Sequence, residues 1–308
     1  MESPISKLEN NLGSIFLIIS RLIGGLGNQM FQYATGFALA RQNEQSHYLD
    51  ISDFDDYRLH QGYELEQVFS ITSKLADASQ VRALLGWRAG KLARKVLGKR
   101  ILKGLRGSAY VVEPHFNYWA GLPKFFGDLY MSGYWQSERY FLEEVESIRT
   151  EFTFKKPLMG YNAQLAHTMS NTTSVSLHVR RGDYLSNPRN HGLMHVAEPA
   201  YYHLGISHIA NRVIAPEFYV FSDDIAWAQE NIRLEYPCTY VSHNSQADSF
   251  LDLQLMSRCQ HHIIANSTFS WWGAWLNPNV NKIVVAPKLW FRNGTPDQDL
   301  IPGHWTRL

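Results

Sequence analysis

Two adjacent arginines, Arg180 and Arg181, are the residues of this sequence whose types and spacing most directly suggest chemistry. They follow residues 174–179, a short run typical of a buried strand. Side chains at the carboxyl end of such a strand emerge where open α/β sheets bind their ligands. Guanidinium groups stay charged at any working pH and bind phosphate oxygens through two parallel hydrogen bonds. The pair therefore indicates a diphosphate site, with a cluster that only fastens a loop as the alternative.

Alternation along that strand indicates which arginine faces a ligand. Because side chains two residues apart share a face of a strand, His178 and Arg180 point the same way. Arg181 then points elsewhere, toward Asp183 or into a packing role. We therefore expect Arg180 to contact the diphosphate and Arg181 to support it.

A glycine-rich loop at residues 24–29 joins a predicted strand to a predicted helix, although it lacks the third glycine of a dinucleotide fingerprint. Gly25 and Gly27 would let the backbone approach a ligand, and the start of the helix offers free amide groups to an anion. Asn28 and Gln29 add neutral donors suited to sugar hydroxyls. A tight turn without a ligand is the alternative.

Acidic residues stand at two further points of interest. Asp223 and Asp224 end a predicted strand, where they could hold a metal ion, bind ribose or guanine edges, or cap the following helix. We expect one of the two to be the cap. Asp252 is a lone acid in an apolar helical stretch, which is unusual unless it meets a partner.

Asn266, Ser267 and Thr268 end another predicted strand and open a helix. Their hydroxyl and amide groups can therefore receive a phosphate. The alternative is a Ser/Thr cap over a tryptophan-rich core.

The composition excludes several classes of protein. The 308 residues favour two domains, and 29 basic against 28 acidic residues give no global field for nucleic acid. Cys238 and Cys259 are too few for a disulfide framework, which favours a reducing compartment. Residues 15–19 are too short for a membrane span and lack the features of a signal peptide. Asp53 and Asp55 match a short metal-binding pattern, but they lie far in sequence from the arginine pair, and no metal is expected.

Strands and helices are predicted to alternate along the chain. The predicted strands are residues 15–23, 47–51, 174–179, 217–221, 239–241, 262–265 and 282–286. Helices are predicted after residues 28 and 133 and at residues 199–213, 225–231, 249–259 and 270–276. This alternation predicts an α/β fold with parallel strands. We place the two domains at residues 1–165 and 166–308, with residues 1–14 as a loose extension.

Residues 78–112 contain nine basic residues and no acidic one. Apolar residues fall among them, which predicts a basic amphipathic helix or helix pair at residues 82–106. Such a surface could contact an anionic membrane peripherally, or it could be a solvated helix flank.

Five motifs, taken in order, resemble the bacterial α-1,2-fucosyltransferases of glycosyltransferase family 11. They are GGLGNQMFQYA at 24–34, GYWQSERYF at 133–141, HVRRGDY at 178–184, FSDD at 221–224 and NSTFSWWGAWL at 266–276. The resemblance covers roughly residues 18–290, and residues 1–17 and 82–106 lie outside the shared motifs.

The resemblance implies a GT-B-like enzyme with two Rossmann-type domains that face each other across a cleft. The N-terminal domain would hold the acceptor and the C-terminal domain would hold GDP-β-L-fucose. Fucose would pass with inversion to the 2-hydroxyl of a galactose in a glycan, with no cofactor, no metal and no nucleic acid. Apart from the resemblance, the two cysteines favour the cytoplasm, and the basic segment leaves open a peripheral contact of residues 82–106 with the inner membrane.

The resemblance also implies roles for single residues. Arg180 would contact the diphosphate, Asn28 would face the reacting sugar, and His178 and Asp252 would read the guanosine. The other expected donor-site residues are Gly25, Gly27, Gln29, Arg181, Asp223, Asn266, Ser267 and Thr268.

The residue that deprotonates the acceptor is left open. Asp183 and His191 follow the arginine pair and are the candidates, and a loose transition state with little help from a base is the alternative. Two rival functions also stay open: fucosyl transfer with another linkage, and a non-catalytic protein that binds a nucleotide sugar or a glycan.

Overall fold

The computed structural model describes residues 16–55, 61–187 and 192–308. Two parallel sheets organise this part of the chain, one with five strands and one with six. The first has the strand order β3-β2-β1-β5-β4 and the second has the order β11-β10-β9-β6-β7-β8. The chain therefore has the predicted α/β fold with parallel strands.

The strands of the two sheets follow one another along the chain in two groups. The first sheet contains β1 Leu17–Arg21, β2 Ser46–Asp50, β3 Lys74–Leu75, β4 Tyr110–Val112 and β5 Leu129–Ser132. The second contains β6 Thr173–Val179, β7 Pro216–Ser222, β8 Cys238–Val241, β9 His261–Ile263, β10 Val284–Ala286 and β11 Thr306–Arg307. All seven predicted strands are present, and β3, β4, β5 and β11 were not predicted.

Helices connect the strands. They are α1 Leu26–Gln42, α2 Leu65–Val68, α3 Ala78–Leu85, α4 Lys91–Leu97, α5 Val145–Glu151, α6 Gly160–Asn171, α7 Gly182–Ser186, α8 Pro199–Ala210, α9 Ile225–Asn231, α10 Phe250–Met256 and α11 Thr268–Leu276. Short 3₁₀ turns lie at Ser52–Phe54, Gly86–Ala89, Arg100–Leu105, Leu122–Lys124, Glu138–Tyr140, Leu142–Glu144 and Gln246–Asp248. The four helices predicted in the second half correspond to α8, α9, α10 and α11.

The helix predicted after residue 133 is absent there. Trp135 has a φ of 53°, which is outside the helical range, and the Glu113 carboxylate accepts hydrogen bonds from the amides of Tyr134 and Trp135. Ser137 caps the 3₁₀ turn Glu138–Tyr140. An acid directly after β4 therefore holds this stretch in an irregular conformation that local periodicity does not reveal.

Aromatic side chains join the two sheets into one core. Phe31 on α1 contacts Trp271 and Trp272 on α11, with ring centroids 4.4 and 4.9 Å apart. The Trp272 indole donates a hydrogen bond to the Gly27 carbonyl at 3.0 Å. The start of α1 is thereby fixed against the start of α11, which belongs to the other sheet. The predicted boundary between residues 165 and 166 falls inside α6, and Leu165 packs in the core of the second sheet.

Candidate active site in the cleft between the sheets

A cavity of about 780 Å³ opens where strands of both sheets end. This size is typical of sites for small molecules and cofactors. Nine of the residues singled out in the sequence line it: Gly25, Gly27, Asn28, His178, Arg180, Asp223, Asp252, Ser267 and Thr268. Parallel strands end at a common edge of each sheet, which is why residues far apart in sequence meet here.

The glycine loop reaches the cavity because Gly27 has no side chain. A Cβ at this position would lie 2.6 Å from Thr268 Oγ1 and 2.7 Å from the Phe269 amide nitrogen. Asn28 follows directly, and its Oδ1 accepts hydrogen bonds from Gln136 Nε2 at 2.8 Å and Thr268 Oγ1 at 3.2 Å. The N-termini of α1 and α11 therefore converge, and the free amides and dipoles of both favour an anion between them.

Arg180 extends from the end of β6 into the cavity. Its Nε lies 3.3 Å from Asp223 Oδ2, and a quarter of its side chain is exposed. Asp223 is itself fixed, because it accepts hydrogen bonds from the amides of Arg181 at 2.9 Å and Gly182 at 3.1 Å. The pairing of β6 with β7 aligns Val179 with Ser222, so these residues meet at adjacent strand ends. Arg180 is thus held at the cavity wall with its charge available to a ligand.

Arg181 takes the opposite direction, as alternation predicts. Its guanidinium lies 3.8 Å from the centre of the Trp227 ring, and its Nε lies 3.8 Å from Asp224 Oδ2. Asp224 also caps α9, where it accepts a hydrogen bond from the Trp227 amide. The prediction that one acid of this pair is a helix cap is confirmed, and Arg181 supports the loop by packing.

His178 lines the cavity next to Arg180 and is only 5% exposed. Burial and the nearby Arg180 charge lower its pKa to about 4, so the imidazole is neutral at physiological pH. Among the described residues, its buried Nδ1 has no hydrogen-bond partner. A buried polar atom without a partner favours a ligand that supplies one.

Asp252 reaches the cavity from α10. Its Oδ1 accepts a hydrogen bond from Asn244 Nδ2 at 2.7 Å. Burial raises the pKa of Asp252 to about 7, because one amide donor does not offset the loss of water around the carboxylate. A ligand that brings further hydrogen-bond donors would therefore stabilise the ionised Asp252 carboxylate.

Ser267 and Thr268 form the amino end of α11. Ser267 Oγ accepts a hydrogen bond from the Phe269 amide, so the serine is a helix cap and also lines the cavity. The phosphate-binding hypothesis and the capping alternative are therefore compatible at this position. Behind this end of α11 lies the tryptophan-rich core.

The family model described as glycosyl transferase family 11 matches residues 112–305, more than half of the chain. The chain belongs to glycosyltransferase family 11. An α-1,2-colitosyltransferase of Escherichia coli is 34% identical over 299 residues, which cover 95% of this chain and 99% of that protein. The O-antigen biosynthesis glycosyltransferase WbnK of Escherichia coli is 33% identical over 314 residues, which cover 94% and 99%. Human galactoside α-(1,2)-fucosyltransferase 1 is 30% identical over 262 residues, which cover 82% of this chain and 63% of that protein.

Solved structures share the fold of this family 11 glycosyltransferase. A mutant of Arabidopsis thaliana FUT1 in complex with GDP has a TM-score of 0.56 at 12% identity, covering 95% of this chain and 76% of that chain. NodZ α-1,6-fucosyltransferase soaked with GDP-fucose has a TM-score of 0.53 at 13% identity, covering 85% and 93%. The predicted GT-B-like fold is confirmed by these likenesses.

Besides Arg181, two predicted donor-site residues of the glycosyltransferase do not line the cavity. Gln29 is fully buried, and its amide bonds the Gly24 and Gly62 carbonyls at 3.0 and 2.8 Å and the Glu64 amide at 3.0 Å. Asn266 is also fully buried and donates to the Trp290 carbonyl at 3.0 Å. Both side chains hold loops that shape the cavity. Of the two base candidates, His191 and the side chain of Asp183 lie outside the described residues.

Glu64 is a cavity-lining acid that sequence reasoning missed. It precedes the short helix α2 on the N-terminal side of the cleft, and burial raises the pKa of its carboxyl to about 7. No motif marks it, since it stands in an ordinary apolar context, Tyr63-Glu64-Leu65. Glu66 follows two residues later, so the sequence does not single out Glu64.

Asp53 and Asp55, the two residues that match a short metal-binding pattern, pair with basic side chains. Arg21 holds Asp53 through two hydrogen bonds of 2.8 and 2.9 Å, and Lys91 pairs with Asp55 at 3.2 Å. Across residues 16–55, 61–187 and 192–308, no group of three or more His, Cys, Asp or Glu side chains could hold a metal ion. Within the same ranges, no helix is both long and apolar enough to cross a membrane.

Proposed function

We propose that this family 11 glycosyltransferase moves L-fucose from GDP-β-L-fucose to the 2-hydroxyl of a galactose, with inversion. The observation that carries the proposal is the convergence of Arg180, His178, Asp252 and the N-terminus of α11 in one cavity, opposite the glycine loop of the other domain. Each of these groups suits a different part of a guanosine diphosphate sugar.

The donor half of the reaction needs fixed positive charge. As the bond between fucose and the diphosphate breaks, negative charge grows on the leaving group, and preorganised donors stabilise it. Arg180 supplies a full charge, and the amides and hydroxyls at Ser267 and Thr268 supply neutral donors. We therefore assign leaving-group stabilisation to these residues and expect no metal to be needed.

The acceptor half needs a group that takes a proton from the galactose hydroxyl. Asp183 and His191 remain candidates, and Glu64 is a third that the cavity suggests. A carboxyl whose pKa lies near 7 is matched to proton transfer at neutral pH. Asn28, held by Gln136 and Thr268, is suited to orient the sugar hydroxyls beside the reacting centre.

The proposal is tested by incubating the purified protein with GDP-fucose and lactose in the presence of a chelator. We expect release of GDP that depends on lactose, and a product in which NMR shows an α-linkage to the galactose 2-hydroxyl. A different linkage would support the alternative of another fucosyltransferase activity. Tight GDP-fucose binding with no acceptor-dependent GDP release would support the non-catalytic alternative.

A second donor is suggested by the relative named α-1,2-colitosyltransferase, 34% identical to this chain. Colitose is fucose without the 3-hydroxyl group, so the two donors differ by one polar contact. A site that bonds this hydroxyl rejects the deoxy sugar strongly, whereas an apolar site discriminates weakly. Competition between GDP-fucose and GDP-colitose for one acceptor measures the preference. A higher kcat/KM with GDP-colitose would replace fucose with colitose in the proposal.

A further inference from the structure

The basic segment, residues 82–106, covers one face of the N-terminal sheet. Val81, Leu85 and Leu97 pack against Ile19 and Tyr130 there. The other face of the same strands packs on α1, because the neighbouring residue Ile18 belongs to the core beneath that helix. The segment therefore lies on the side of the N-terminal domain that faces away from α11 and the second sheet.

Two basic residues of the segment are buried and form contacts within the fold. Arg94 is buried and pairs with the carboxylate of Asp50 and the hydroxyl of Tyr130. Arg106 is buried and donates to backbone carbonyls, including that of Leu97 at 2.7 Å. These contacts fasten the inner side of the segment to the sheet, so the segment is a fixed part of the fold.

The outer side of the basic segment is both apolar and cationic. Its exposed large apolar side chains are Trp87 at 66%, Leu92 at 75%, Val96 at 41%, Ile101 at 89% and Leu105 at 53% of full exposure. Exposed basic residues interleave with them along the chain: Arg82, Lys91, Lys95, Lys99 and Lys103. Residues 78–112 contribute no acid to it, although Asp55 from an earlier part of the chain pairs with Lys91 at 3.2 Å.

The structure confirms a helix pair in this region, α3 and α4, and interrupts it with 3₁₀ turns. Gly86 has a φ of 59° and ends α3, and two 3₁₀ turns follow α3 and α4. The breaks turn successive apolar residues outward while Leu85 and Leu97 stay buried. The outer side is thus produced by the fold and not by helical periodicity alone.

Exposed apolar residues beside lysines match the boundary of an anionic bilayer. Aliphatic and tryptophan side chains insert among acyl chains and headgroups, while lysines reach back to the phosphates. Each basic residue near an anionic surface adds to the attraction. A second copy of the chain fits less well, because a symmetric contact would face lysines with lysines. Nucleic acid offers no apolar layer for the exposed aliphatic side chains.

We propose that the outer side of the basic segment seats this protein on an anionic membrane surface. The proposal is independent of the reaction, because it concerns the domain face that α1 and the second sheet leave uncovered. The cavity opens at the strand ends, so a protein seated on this face keeps its cleft accessible.

The test is sedimentation of the full chain with vesicles of phosphatidylglycerol and phosphatidylcholine, and with vesicles of phosphatidylcholine alone. We expect binding to the anionic vesicles, weaker binding at high salt, and little binding to the neutral ones. The variant Lys95→Glu/Lys99→Glu is expected to lower the partition coefficient on anionic vesicles by about tenfold or more. The variant Leu92→Ser/Ile101→Ser is expected to lower it comparably at the same net charge.

A matched control uses two apolar residues that are equally exposed in the other half of the chain. Ile214 and Val280 are 90% and 93% exposed, and Ile214→Ser/Val280→Ser is expected to bind vesicles like wild type. Melting temperatures of all variants establish that each is folded. Failure of the wild type to bind anionic vesicles, or equal loss in the control, would overturn the proposal. Self-association that the Leu92→Ser/Ile101→Ser variant abolishes, without vesicle binding by the wild type, would assign the surface to a second copy.

Discussion

GDP binding is expected to release a proton from Asp252. In the free protein, burial holds the pKa of this carboxyl at about 7, with one hydrogen bond from Asn244. Guanine would bring the N1–H and N2–H₂ donors to the same carboxylate, and donors to the charged form lower a pKa. The bound state should therefore keep Asp252 ionised at a pH where the free state is largely protonated.

The size of the effect follows from the pKa in the free protein. A group with a pKa of about 7 is about 90% protonated at pH 6 and about 10% at pH 8. Full ionisation on binding would release about 0.9 proton at pH 6 and about 0.1 at pH 8. Because the bound state has fewer protons, affinity rises with pH, and the Asp252 contribution makes GDP binding about tenfold tighter at pH 8 than at pH 6.

Isothermal titration calorimetry in buffers of different ionisation enthalpy counts the protons directly. Because the terminal phosphate of GDP also titrates near pH 6, the decisive quantity is the difference between wild type and Asp252→Asn. We expect the variant to bind GDP more weakly at pH 8 and to lose the Asp252 share of the released protons. Its melting temperature without ligand should stay close to that of wild type.

The matched control is Glu113→Gln. Burial also raises the pKa of Glu113 to about 7, but this carboxyl does not itself line the cavity and accepts hydrogen bonds from the backbone amides of Tyr134 and Trp135. Its substitution should leave proton release unchanged. Equal proton release by wild type and Asp252→Asn would refute the assignment of guanine recognition to Asp252. Loss of stability with normal GDP binding in the folded fraction would make Asp252 a structural residue.

Three other predictions concern the cavity and the core. Arg180→Lys should cost about 3 kcal/mol or more in kcat/KM, because the lysine loses the two-pronged contact with phosphate, while Arg181→Lys should cost less; similar kinetics for the two variants would contradict this assignment. Arg94→Ala should lower the free energy of unfolding, measured in urea, by about 3–5 kcal/mol, because it leaves the buried Asp50 carboxylate without its ion pair. A loss below about 1 kcal/mol would mean that water reaches the Asp50 carboxylate. The pKa of Glu113 rises from 4.5 in the unfolded chain to about 7 in the folded protein, so its contribution to stability is present below pH 4.5 and is lost as pH rises through 7. The variant Glu113→Gln should therefore lose less stability than wild type over this pH range. Parallel pH profiles of the free energy of unfolding for the two proteins would contradict the prediction.

Local rules of the sequence predicted the directions of several side chains at the ends of β6 and β7 and at the start of α11. Alternation along β6 separated Arg180, which lines the cavity, from Arg181, which stacks on Trp227. Residue types at strand ends likewise predicted that one of Asp223 and Asp224 is a helix cap, which is Asp224, and gave a cap as the alternative at Ser267, where the structure has one. These predictions succeeded because each depends on residues within three positions of one another, where backbone geometry leaves few choices.

Other features depend on contacts between distant parts of the chain. Asn28 and Thr268 are 240 residues apart, and their hydrogen bond exists because Gly27 lets two helices from different sheets touch. Glu64 enters the cavity wall, and Gln29 and Asn266 turn behind it, through the packing of the loops around them. Local sequence patterns predicted seven of the eleven strands that the structure describes and the four helices α8 to α11. Tertiary packing decided that Glu64 faces the cleft while Gln29 and Asn266 do not, because burial and long-range hydrogen bonds determine where each side chain can satisfy its polar atoms.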